Sequence, residues 1–398
     1  MHNTEEKQGY KFTEEFGYIP EDWDIKGFKD TFTKYATNSF TREDMSDTDG
    51  FIKNIHYGDI LVEYGAILDC SCEKIPYINR EITKSYKKVN NGDIVLADTA
   101  EDETVGKCIE VYNIQDDEVI LAGMHTMHLR PNFKFASKFL GYFLNSNVYH
   151  NQLMQYVTGI KVSSISKSDI NKTYILKPPF PEQEKIAEVL SDIDELIAST
   201  QKLIDKKKDL KTATMQKLLT PKPHWVKKCF DDVFRRLQSK KYQINSTDYS
   251  TEGRYPIVDQ GHNKICGYTD NSKVLLKNED GIIVFGDHTR IIKFIDFDFV
   301  VGADGTQLII ANDKYNIKFL YYLLKLKDIP NTGYNRHFKF LLEQNYIIPI
   351  DIKEQQQIAQ TLSDMDAEIE ALEKELNKYK DLKTGMIQEL LTGKKRLV

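Results

Sequence analysis

A stretch of 39 residues occurs twice in this chain: residues 182–220 align without a gap on residues 354–392 at a constant offset of 172, with 20 identities. The shared positions include Glu182/Glu354, Gln183/Gln355, Ile186/Ile358, Leu190/Leu362 and Asp194/Asp366, and the run Lys208-Asp-Leu-Lys-Thr212 against Lys380-Asp-Leu-Lys-Thr384. Fainter kinship extends upstream. Trp23, Phe28 and Phe32 fall on Trp225, Phe230 and Phe234 at offset 202; Ile94-Val-Leu-Ala-Asp98 falls on Ile283-Val-Phe-Gly-Asp287 at 189; Thr158-Gly159 falls on Thr332-Gly333 at 174. A shrinking offset marks two copies of one unit, the first with about 30 extra residues in loops that tolerate insertion. The chain therefore divides into a globule over residues 1–178, a repeated segment over 179–220, a second globule over 221–350, and a second repeated segment with its tail over 351–398.

The repeated segments carry the pattern of long helices. Leu362, Met365, Ile369, Leu372, Leu376, Tyr379, Met386 and Leu390 alternate at spacings of three and four, broken at Lys383. Leu190, Ile193, Ile197, Ile204 and Leu218 follow the same track in the first copy, with Val189, Leu196, Leu203 and Leu210 widening its apolar face. That is a coiled-coil seam. Pro178, Pro179 and Pro181 precede the first segment and Pro349 the second, while Pro221 and Gly393 follow them, which suits helix start and stop chemistry. Because a whole globule separates the two, the chain can return and bury the seams against each other as an antiparallel pair. A plain dimerisation coiled coil would explain the seam, but neither the duplication nor the flanking globules.

The globules read as mixed α and β. Short β-rich runs lie at 59–63, 93–97 and 282–285, and helices are expected at 137–145 and 317–326, shortly before each repeated Thr-Gly. The predicted fold class is thus mixed α/β, two globular domains alternating with two long helices in a pseudo-twofold repeat. A length of 398 residues, 40% of them hydrophobic, supplies two ordinary cores. The polar start, and the lack of any apolar run near the roughly 20 residues of a membrane span, predict a cytoplasmic protein with no membrane contact. Five cysteines without a CxxC pair predict reduced thiols. The net charge of −6 argues against indiscriminate nucleic-acid binding, but it is uneven: residues 1–177 hold 20 basic and 27 acidic residues, residues 221–350 hold 19 and 15. Any nucleic-acid surface must be local.

Two dissimilar globules, separated by near-identical helices that open Glu-Gln-x-x-Ile-Ala-x-x-Leu-Ser-x-x-Asp from Glu182 and Glu354, resemble the specificity subunit of type I restriction-modification systems. The first copy enters this motif from Pro179; the second enters it from Ile352, its proline displaced to Pro349. The resemblance covers nearly the whole chain. It implies a subunit without catalysis of its own, whose two target recognition domains each read one half of a bipartite double-stranded DNA site. It also implies that the helices set the gap and dock two methyltransferase subunits through the repeated positions Gln183, Ile186, Leu190, Asp194, Gln355, Ile358, Leu362 and Asp366. S-adenosylmethionine, ATP and Mg²⁺ would then belong to the methyltransferase and the translocating restriction subunits, with no cofactor bound by this chain.

Base readout needs donors and acceptors on loops that reach a groove, whereas phosphate contacts need only basic or hydroxyl side chains. In the second globule the loop after Thr332-Gly333 offers Asn335, Arg336 and His337; the equivalent loop of the first offers Lys161, Ser163 and Ser164. The turn Asp287-His-Thr-Arg290 adds Arg290, and Lys240 with Lys241 could neutralise phosphates. Asp98 and Asp287 fit either turn capping or acceptance from a cytosine amino group. Other chemistry is poorly served. Lys177-Pro-Pro-Phe180 mimics an adenine-methyltransferase signature, but a lysine ammonium has no acceptor for the target amino group. No GxxxxGK[ST] loop occurs, and His125 with His128 lacks a partner set for a metal.

Overall fold

The computed structural model describes residues 8–82, 84–159, 162–333 and 335–397, which fall into two units: residues 1–200 with 376–398, and residues 201–375. The boundary cuts both long helices, Phe180–Leu218 and Ile352–Leu390, near their middles, so each unit is one globule with one half of each helix.

In the first unit a five-stranded sheet runs in the order Phe32–Tyr35, Thr126–Pro131, Ile94–Ala97, Cys108–Tyr112, Ile67–Asp69. Its first three pairings are antiparallel and the last is parallel, with Ile94 opposite both Leu129 and Glu110, and Glu110 opposite Ile67. The Ile94–Ala97 strand is buried at every residue, so its β-branched and aliphatic run needs no alternation. In the second unit the corresponding sheet has four antiparallel strands, Phe234–Leu237, Thr306–Ala311, Ile282–Gly286 and Ile292–Ile295, with Ile283 opposite Ile309 and Phe294. A smaller sheet flanks each: Val119–Ala122, Ile52–Ile55, Tyr77–Ile78 and Met45–Ser46 in one, Gly267–Thr269, Tyr255–Val258 and Val300–Val301 in the other.

The run at 59–63 is not a strand. It belongs to a helix, Tyr57–Val62, because the His56 side chain accepts the Gly58 N–H at 3.1 Å and caps the start, while Ile60 turns into the core and Val62 to solvent. A short apolar-rich run cannot tell the two periods apart when the cap is a histidine. The helices expected at 137–145 and 317–326 are Phe139–Leu144 and Ile317–Lys325.

Chain delivery into the long helices is the same twice. Asp24–Gly27 pairs antiparallel with Tyr174–Lys177, and Val226–Lys228 with Tyr346–Ile348, so the entering and leaving strands of each globule lie side by side at its helix. Each globule's core then continues onto the helices: Trp23, Phe28 and Phe139 pack with Ile186, Leu190, Leu390 and Leu391; Trp225, Phe230 and Phe319 pack with Leu219, Ile358 and Leu362. Since the start of one helix meets the end of the other in both units, the pair is antiparallel.

Candidate nucleic-acid interface

In the second globule the turn Asp287-His-Thr-Arg290 leaves the end of the central strand, Ile282–Gly286. Three neighbouring segments are tied to it. Asp287 is buried, and its Oδ1 accepts the Phe338 N–H at 2.8 Å while its carbonyl accepts both the backbone N–H and the Nδ1 of buried His337 at 2.8 Å. This clamps the loop after Thr332-Gly333 against the turn. Gln260 holds the other side: its Oε1 accepts the His288 N–H, its carbonyl accepts the Thr289 hydroxyl, and its Nε2 donates to the Asp304 carbonyl. Gly305, at φ +84°, allows this packing, since a Cβ there would sit 2.7 Å from Gln260 Oε1. Arg236 donates to Gln307, whose amide reaches Asp287 Oδ2 at 3.3 Å.

The outcome is a tied loop cluster with Asn335 and Arg336 exposed on it and Arg290 half-buried, at φ +62°, donating to the Ile329 carbonyl at 3.1 Å. Arg290, Asn335, Arg336 and His337 are thus brought together. His337 is wholly buried and acts within the loop, which it positions. Lys240 and Lys241 stand apart on the turn Lys240–Tyr242, beside Ser272–Val274. The Asp287 carboxylate faces inward, as a turn former.

The first globule builds the same corner differently. Thr99–Ala100 pairs with Ser163–Ser164, Ser164 also bridges Thr158, and the Asp98 carbonyl accepts the Ile165 N–H at 2.9 Å. His125, at φ +54°, closes the group, its carbonyl accepting the Asp98 N–H and its ring lying edge-on to Tyr57 at 5.3 Å. Ser163 and Ser164 are half-exposed here; Lys161 lies outside the described residues. His128 does not join His125. It is fully buried, with Nε2 2.7 Å from Asp93, itself gripped by Arg130 through two 2.7 Å contacts. Among the described residues no group of three His, Cys, Asp or Glu side chains could hold a metal.

The repeated helix positions turn inward. Gln183 Oε1 accepts the Ala136 N–H at 3.0 Å and its Nε2 donates to the Pro178 carbonyl; Gln355 does the same with Asn316 and Pro349. The Trp23 indole N–H donates to Glu182 at 2.9 Å and that of Trp225 to Glu354 at 3.2 Å. Tyr142 donates to Asp194 and Tyr322 to Asp366, and each aspartate also pairs with a lysine of the opposing helix, Lys383 and Lys211. The seam's break at Lys383 is therefore an ion pair. With Ile186, Leu190, Ile358 and Leu362 buried as well, these eight positions hold helix to globule and helix to helix. The large apolar residues that the first helix does expose are Leu196, Leu203 and Leu210, which do not widen the seam but stand outside it.

The two joints differ in their cations. Arg396 donates to both Glu182 oxygens at 2.6 and 2.8 Å and to both Asp22 oxygens, while Lys222 and His224 contact Glu354 at 2.7 and 2.8 Å. Arg396 is the counterpart of His224 at offset 172. Burial works to raise the Glu354 carboxyl, but Lys222, His224 and the Trp225 indole draw it down to about 2. None of these cations was legible in advance, although the paired Trp and Glu-Gln positions were the signal for the joint.

The family model described as the type I restriction modification DNA specificity domain matches twice, over residues 20–207 and 223–379. The putative type I restriction enzyme MjaX specificity subunit of Methanocaldococcus jannaschii is 26% identical over 98% of this chain and 97% of its own. The crystal structure of a type I restriction-modification system S subunit from M. genitalium superposes with a TM-score of 0.61 at 15% identity, covering 92% of this chain and 96% of that one. A chain from a structure of type I R-M complex assembly and conformational transition gives 0.52, also at 15% identity, over 94% and 99%.

Proposed function

The chain belongs to the type I restriction modification DNA specificity family, as a non-catalytic subunit that recognises a DNA target and assembles with other subunits, and from that premise we propose how its parts divide the work. Each globule reads one half of a bipartite duplex site. In the second, Arg336 and Asn335 approach base edges, Arg290 reinforces them, and Lys240 and Lys241 contact phosphates farther along; in the first, Lys161, Ser163 and Ser164 serve the same corner. His337 acts through the loop it orders. The antiparallel helices set the gap, and Leu196, Leu203 and Leu210, spaced by seven and 41–52% exposed, belong to the face that docks two methyltransferase subunits. Those partners bring S-adenosylmethionine, and restriction subunits bring ATP and Mg²⁺. This division operates in the cytoplasm; among the described residues no helix is long and apolar enough to cross a membrane.

The observation that carries the reading is the matched corner: in both globules the strand containing Ile94 or Ile283 ends in an aspartate turn fastened to the Thr-Gly loop. The test is to insert one heptad after Lys206 and a matching one after Lys374, which preserves the seam. Seven residues add about 10 Å of helix, roughly three base-pair steps. The methylated motif should keep both half-sites and gain about three bases of gap by that arithmetic; an unchanged gap defeats the ruler.

A further inference from the structure

The outer strand of each larger sheet, Phe32–Tyr35 in the first globule and Phe234–Leu237 in the second, carries a cation as its third residue. These are Lys34 and Arg236, equivalent at the offset of 202 that also pairs Phe28 with Phe230 and Phe32 with Phe234. Each meets the loop that returns from the Thr-Gly step. Lys34 donates to the Lys167 carbonyl at 2.8 Å and to Asn171 at 2.6 Å, with its ammonium 5.3 Å from the centre of the Phe28 ring. Arg236 donates to Gln307 at 2.9 Å and lies 4.7 Å from the centre of the Phe338 ring. A second matched cation follows. The Asp98 carbonyl accepts the Ile165 N–H and the Asp287 carbonyl that of His337, and two residues beyond each stands an exposed lysine, Lys167 and Lys339.

Among the described residues none of these four cations pairs with a carboxylate. Asp169 is taken by Lys172 at 2.7 Å and by the Ser166 hydroxyl, and Asp313 by Arg235 at 3.1 Å. Burial, and after it the charge of Lys167, hold the Lys34 ammonium below its ordinary value. Donors are left over as well: neutral acceptors take two of the three N–H groups of Lys34 and one of the five of Arg236. A bare brace needs neither the charge nor the spare donors. The first globule is acidic, with 20 basic against 27 acidic residues over 1–177, so two unanswered cations at its corner run against its average.

The side chains beside these cations differ between the copies, serines in one and asparagine with arginine in the other. What both halves of a duplex present alike is the phosphate backbone, which fixes register without carrying sequence. We propose that Lys34 with Lys167, and Arg236 with Lys339, form matched phosphate contacts, one pair in each globule, that seat the DNA backbone beside the half-site its corner reads. The kind of charge is kept between the copies while the base reader is free to change. This inference rests on the corner reading above and adds to it contacts that act equally on any sequence.

The test uses the full chain assembled with its modification subunits, and two duplexes of equal length, one bearing the complex's own methylated motif and one scrambled. Lys34→Gln and Arg236→Gln should each weaken binding of both duplexes by the same factor and reduce the slope of log K against log salt by about one, the share of one phosphate. Lys167→Gln and Lys339→Gln, at exposed positions, should do the same with an unchanged thermal melt, and Arg236→Lys should keep the slope. Neutral methylphosphonates placed one at a time along the motif duplex should reveal, in each half, a phosphate whose neutralisation weakens the parent complex and leaves the matching glutamine variant indifferent. Unchanged slopes, losses confined to the motif duplex, or the absence of such a phosphate from either half would each overturn the contacts and leave the cations as braces. A parent complex that does not prefer its motif would strike the corner reading itself, and these contacts with it.

Discussion

Arg336 is exposed on a loop whose geometry is set by buried neighbours, so truncating it should leave the fold intact and test its proposed base contact alone. Arg336→Ala should lose roughly 1–3 kcal/mol of binding to the half-site read by the second lobe, with the other half-site untouched; fluorescence anisotropy on duplexes altered in one half at a time measures this, and equal losses in both halves would remove Arg336 from base readout. Glu110 makes a different kind of prediction. It is nearly inaccessible, accepts the backbone N–H groups of Lys138 and Gly141, and burial pushes its carboxyl up to about 7 from an ordinary 4.5. A raised carboxyl favours the protonated folded state, so its contribution is full below about pH 4.5 and fades as pH rises to about 7. Glu110→Gln should flatten that part of the stability profile, measured as melting temperature against pH. A profile parallel to that of the parent would show that Glu110 does not titrate there.

At the scale of elements, the helix joints decide whether a globule sits firmly on its spacer. Gln355 satisfies two backbone groups at once with no exposure, and Gln355→Ala would orphan both, costing about 1–3 kcal/mol by urea unfolding. Arg396→Ala should loosen only the first joint: amide exchange should quicken at Trp23 and Glu182 and stay unchanged at Trp225 and Glu354, and uniform change would deny the latch. These joints also show what could be read beforehand. The helices, their seam and their start were legible because period and punctuation are local properties of the chain. Partners such as Asp194 with Lys383, or Trp23 with Glu182, sit 159 or more positions apart, and no local pattern encodes which way a repeated side chain turns. Repetition signalled that Gln183 and Gln355 matter, but burial assigns them to the joint. The helix at Tyr57–Val62 was not legible, because its cap is a histidine and its length is under two turns.

Taken whole, the chain repeats a framework and varies what the framework carries. Much of what the copies share, from the tryptophan–glutamate joint to the tyrosine–aspartate–lysine clamp, concerns attachment. The loops at the two corners share only an aspartate turn and a Thr-Gly step, and their exposed side chains differ: serines in one, asparagine and arginine in the other. That distribution is expected where attachment is constant and readout is independent. The loops at the two equivalent corners were traceable through the Thr-Gly and Asp landmarks, whereas Gln260, which organises the second cluster, lies in a segment with no landmark in the first copy. Replacing residues 222–348 by the equivalent domain of another family member keeps Gln355, Leu362 and Asp366 on the helix side of the joint. The graft must supply a tryptophan for Glu354 and a tyrosine for Asp366, and a donor chosen on those two residues should fold in place. Single-molecule methylation sequencing of cells carrying the chimera should then return a motif with one new half, one old half and the original gap. A change in both halves would mean that the lobes read jointly, and a change in the gap alone would shift the ruler from the helices to the globules.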